Sequence, residues 1–75
     1  MESQLVTILK ITTPQLGSFI KNKLESEGVE CFFTNEDLSL GSEYNPYEVF
    51  LNVKVLQSKK AVKILMQIYI FLNFV

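Results

Sequence analysis

From Leu5 to Ile11 both alternating sets of side chains are largely apolar, with Leu5, Leu9 and Ile11 on one side and Val6, Ile8 and Lys10 on the other. That pattern predicts an interior strand covered on both faces. Thr13 and Pro14 then read as a helix start, a hydroxyl for the cap and a proline for the first helical position, where its missing N–H has no partner to lose. Leu16, Phe19, Ile20 and Leu24 recur at helical spacing, which predicts a helix from Pro14 to about Glu27 with one buried stripe. Gly28 stands where a left-handed residue ends helices. Val29 to Thr34 follows as a second strand, and Asn35 to Glu48 as a polar connection. At about fourteen residues this connection far exceeds a hairpin's usual two to five.

Val49, Leu51, Val53 and Val55 alternate with Phe50, Asn52, Lys54 and Leu56, the clearest strand pattern in the chain. Ser58 is a candidate cap for a second helix starting at Lys59, with Val62, Leu65 and Tyr69 as its inner stripe and Lys59, Lys60, Lys63 and Gln67 outside. Ile68 to Val75, IYIFLNFV, is apolar on nearly every side and admits three readings: a continued helix, a fourth strand, or a membrane anchor. Fifteen residues from Ala61 span about 22 Å as helix, short of the roughly 30 Å hydrocarbon core, so the anchor is disfavoured. A strand or a subunit contact is favoured by the β-forming residues. The expected fold is α+β, a ferredoxin-like βαββα(β) sandwich in which an antiparallel-type sheet carries two helices on one face. Val6, Ile8, Phe32 or Phe33, Phe50 and Leu56 are then expected to line the open sheet face, with sheet-to-sheet dimerisation covering it.

LESEGVECFFTNE, Leu24 through Glu36, following a strand and an amphipathic helix, resembles a family of small bacterial proteins described as prokaryotic signal-transducing proteins and assigned no activity. The resemblance runs from residue 5 to about 66 and rests on a glutamate-rich helix end, Gly28, an apolar strand and an Asn-Glu turn. It implies the same ferredoxin-like, PII-like topology and a role in signalling. Residues after the second helix depart from the family, where a polar end is usual. By analogy with nitrogen-regulatory PII proteins, whose corresponding loop engages targets, the connection from Asn35 to Glu48 is the expected contact for a partner.

Composition narrows the chemistry. The 75 residues make one domain, and a chain of that size buries only about 60% of its unfolded surface. Hydrophobic residues are 48% of it, which favours a homo-oligomer. The net charge is −1 and there is no arginine, so nucleic acid is not an expected partner. With no histidine and a single cysteine, Cys31, neither a metal site, a cofactor nor thiol catalysis is expected, and Cys31 reads as a small core residue. The first residues lack a basic leader, so a cytoplasmic location with no membrane association is expected.

Asn35, Glu36, Asp37, Tyr44 and Tyr47 are the candidate residues for binding a protein partner or a ligand, since adjacent acids and paired aromatics on a long loop suit contact. Phe50, Ile70, Leu72 and Phe74 are the candidates for self-association. Lys59, Lys60 and Lys63 cluster at a helix start, where an anion can sit or where water simply wets the face. The leading expectation is a noncatalytic regulatory or interaction module that self-associates and meets a protein partner. The alternative is a sensor of a nucleotide or amino acid bound between subunits, and an enzyme ranks last without histidine or arginine.

Overall fold

The computed structural model describes residues 4–37, 43–44 and 48–73, with only the backbone described at 36–37 and 43–44. Strand β1 (Leu5–Ile11) leads into helix α1 (Pro14–Ser26), and Thr13 caps it as expected, its hydroxyl accepting the Leu16 N–H at 3.2 Å. Two residues farther along the chain from Glu27, the N–H of Val29 returns to the Leu24 carbonyl at 2.9 Å, and that of Gly28 to Glu25 at 3.1 Å. This paired closure needs Gly28 at φ +87°, a conformation a Cβ disfavours. Leu24 and Val29, brought together by the turn, are both fully buried.

Strand β2 (Phe32–Thr34) is shorter than the pattern predicts, because Val29 and its neighbours complete the helix stop instead of extending the strand. Strands β3 (Glu36–Asp37) and β4 (Glu43–Tyr44) pair with each other in a small separate ribbon. Strand β5 (Val49–Lys54) is the centre of the main sheet, whose order is β1-β5-β2, antiparallel at both contacts. β1 and β2 therefore run parallel, with β5 inserted between them.

Leu51 and Val53 of β5 join Ile20 and Leu24 of α1 and Ala61, Ile64 and Ile68 of α2 (Ser58–Asn73) in one core, so both helices pack on the same sheet face. A β-bulge between Thr7 and Leu9 shifts the phase of β1. It places Val6 opposite Val53 and Leu9 opposite Leu51, so Val6, Leu9 and Ile11 share the helix side, a face assignment that simple alternation misses. α1 lies close to β1: a Cβ on Gly17 would come within 3.0 Å of the Ile11 side chain. Phe33 also faces the helices, with the Lys21 ammonium 5.8 Å from its ring centre.

The opposite face is not the open apolar surface expected. Its centre is Asn52, which has no exposed surface and bridges all three strands: Thr7 Oγ1 donates to Asn52 Oδ1, and Asn52 Nδ2 donates to Thr34 Oγ1 at 2.8 Å. A buried amide is tolerable only when bonded in this way. Of the residues expected on that face, Phe50 and, of the two alternatives, Phe32 do lie there, whereas Val6 lies on the other side and Leu56 sits in the 3-10 turn Val55–Gln57 that ends β5.

α2 corrects two expectations. Its buried stripe is Ala61, Ile64 and Ile68, while Val62 and Tyr69 are exposed, because the small Ala61 rather than Val62 allows close approach to the sheet. Helix then continues through Asn73, so Ile68 to Asn73 form no fourth strand. Nothing in Ala61–Asn73 breaks a helix, and each added residue extends a structure already nucleated and anchored by Ile64 and Ile68. Ser58 does not cap the helix; its hydroxyl donates to the Val55 carbonyl at 2.8 Å, and the 3-10 turn runs directly into α2.

Candidate functional site

Six of the exposed large hydrophobic residues among the described ones lie on α2. From Ile64 to Asn73 the helix carries no charged residue. Ala61, Ile64 and Ile68 are buried in the core and Leu65 packs partly against it, while Val62, Met66, Tyr69, Ile70, Phe71 and Leu72 stay exposed, Tyr69 by 69%. Scattered apolar residues are ordinary on a protein surface, but Val62, Met66, Tyr69, Ile70 and Leu72 line one groove together, with Phe71 on the other flank of the helix.

Beside this patch runs an apolar groove of about 400 Å³, with Ile8 and Leu9 of β1 and Leu16 of α1 on one side and Val62, Met66 and Tyr69 of α2 on the other. β1 is the outer strand of the sheet on this side, so the groove follows the sheet's edge. On the far flank of α2, Phe71 and Gln67 face Phe19 and Lys23 of α1 across a second depression.

The loop candidates are placed less completely. Asn35 closes the base of the long connection, its side-chain amide donating to the Glu48 carbonyl at 2.7 Å. Glu48 in turn holds the Lys10 ammonium at 2.8 Å, and this contact raises the pKa of Lys10 above its ordinary value. The backbones of Glu36 and Asp37 pair with Tyr44 and Glu43, which brings three acids and a tyrosine into one ribbon. Tyr47 lies outside the described residues. Among the self-association candidates Ile70 and Leu72 are exposed on α2, Phe50 is 7% exposed, and Phe74 lies outside the described residues. Met66 and Phe71 belong to the same exposed set and were not singled out from the sequence, where the ten-residue stretch without charge was the available signal; Phe19 and Val62, expected in buried stripes, are exposed as well.

Cys31 is half-buried, and desolvation, followed by the Glu25 carboxylate, pushes its thiol pKa up to about 11. A thiol so protonated is a poor nucleophile at neutral pH. Among the described residues no group of histidine, cysteine, aspartate or glutamate side chains is placed to hold a metal ion, and no helix is long and apolar enough to cross a membrane. No family model, curated protein or solved structure matches the chain.

Proposed function

We propose that this chain is a noncatalytic interaction module of ferredoxin-like design that acts in the cytoplasm by self-association and by contact with a protein partner. The observation carrying this reading is the uncharged outer side of α2 beyond Lys63, with its exposed Met66, Tyr69 and Ile70. The order β1-β5-β2, with the outer two strands parallel, is compatible with the ferredoxin-like pattern, in which a fourth strand would flank β1. Here α2 continues as helix, and the flank of β1 becomes a surface for another molecule. The resemblance of Leu24–Glu36 to signal-transducing proteins points toward a regulatory role.

The groove's lining favours a macromolecular contact over a sensor. Ile8, Leu9, Leu16 and Met66 offer no charge to a phosphate, a carboxylate or an ammonium group. Light scattering across a concentration series tests the reading: the natural chain is expected as an oligomer, and a variant carrying both Met66→Glu and Ile70→Glu as a folded monomer. A natural chain that stays monomeric at the highest concentration it tolerates refutes self-association.

A further inference from the structure

We infer that the occupant of the groove is a second copy of this chain, joined edge to edge through β1 about a two-fold axis normal to the sheet; this rests on the self-association proposed above and specifies its geometry. β1 has seven residues and pairs only with β5 among the described strands, so its other side offers backbone donors and acceptors to an added strand. Edge strands are commonly guarded by proline, by charged side chains such as lysine, by a bulge or by a covering segment. β1 contains no proline, its one charged side chain, Lys10, is engaged with Glu48, and its bulge between Thr7 and Leu9 leaves a regular run on either side.

An axis normal to the sheet keeps the helices of both copies on one side and brings α2 against the partner's α2 above the seam, in antiparallel order. The flanks that meet, Val62, Met66 and Tyr69 with Leu65 beside them, carry no charge. Lys59, Lys60 and Lys63, at the start of one helix, then lie toward the C-terminal end of the other, the negative end of its dipole. Charge is thus complementary at the ends and absent in the middle.

The area is also of the right order. Taking roughly 200 Å² for a large side chain, the exposed fractions of Val62, Met66, Tyr69, Ile70 and Leu72 amount to about 500 Å². With the edge of β1 added, this approaches the ~800 Å² that each partner contributes to a standard interface. A strand from an unrelated protein would satisfy β1 but leave much of the α2 flank in water. The opposite edge strand, β2, is only three residues long, so the pairing closes as a dimer and does not propagate.

Two measurements test the geometry. In a Cys31→Ser background, Leu5→Cys, Val6→Cys, Ile8→Cys and Lys10→Cys are each exposed to air, and at least one is expected to give a disulfide-linked dimer rapidly. Because the bulge divides the edge into two straight runs, neighbouring positions on one run should cross-link far faster than those on the other. Hydrogen exchange of the natural chain, which needs no substitution, should show β1 amides slowed at least tenfold at dimer concentrations relative to dilute monomer. A dimer by light scattering with neither cross-links nor added β1 protection overturns edge pairing and leaves self-association standing. A monomer overturns both and assigns the groove to a strand or helix of a different protein.

Discussion

Replacing Asn52 by alanine should cost this domain a large share of its stability. The Asn52 side chain has no exposed surface, accepts from Thr7 and donates to Thr34, so it links β1, β5 and β2 in one row. Asn52→Ala removes both cross-strand bonds at once, together with the long 3.5 Å bond to the Phe50 carbonyl. Each net bond contributes about 1 kcal/mol. The expected loss is therefore about 2–3 kcal/mol, against a total stability of roughly 4–11 kcal/mol for a chain of this length. At about 4–8 °C per kcal/mol for small domains, the melting temperature should fall by more than 8 °C. Urea unfolding followed by circular dichroism gives the free energy, with an unchanged slope showing that the unfolded state is unaltered. A double-mutant cycle with Thr7→Val isolates the contact, and a coupling near 1 kcal/mol is expected. Loss below about 0.5 kcal/mol, within the range of an ordinary surface substitution, or strict additivity in the cycle, would refute the role assigned to this row.

Three further outcomes follow from the same geometry. Gly28→Ala, at φ +87°, should destabilise by about 1 kcal/mol in urea unfolding, since alanine resists the left-handed region. Leu24→Ala opens a cavity where the helix stop meets the core and should cost about 2–5 kcal/mol, enough to leave part of the population unfolded by calorimetry. Cys31, with its pKa raised from about 9 to about 11, should resist alkylation in the folded protein at pH 8 while the urea-unfolded chain reacts readily. The sign for stability follows from burial of the neutral thiol: its contribution is complete below pH 9 and is lost as pH rises toward 11.

Local chemistry was legible in the sequence wherever a few adjacent residues decide the outcome. Thr13 with Pro14 and Gly28 with Val29 did so, and both ends of α1 stand close to where those residues place them. Features set by tertiary contact were not. The bulge at Ile8 leaves no mark in an all-apolar run, yet it changes which side chains of β1 meet the helices. In α2 the bulkier Val62 and Tyr69 suggested a stripe one position away from the true one, because hydrophobicity weighs alanine lightly whereas close packing against the sheet favours it. IYIFLN has the residues of a strand and the context of a helix, and context prevailed. Asn52 was visible as one polar residue amid an apolar alternation, but its significance depends on Thr7 and Thr34, which are distant in sequence. For the candidate surface, the lack of charge after Lys63 was readable, and its position beside the β1 edge was not.

Gln57 carries a consequence for how the molecule comes apart. Its side-chain amide donates to the Gly28 carbonyl at 2.9 Å and accepts the Glu30 N–H, standing in for a neighbouring peptide group. The residues just before α2 are thereby stitched to the bend that closes α1, across 27 positions of chain. Any breathing motion that lifts the start of the second helix must also release that bend, so the first and last thirds of the polypeptide should melt as one cooperative block, with the Glu30 amide proton as their shared reporter.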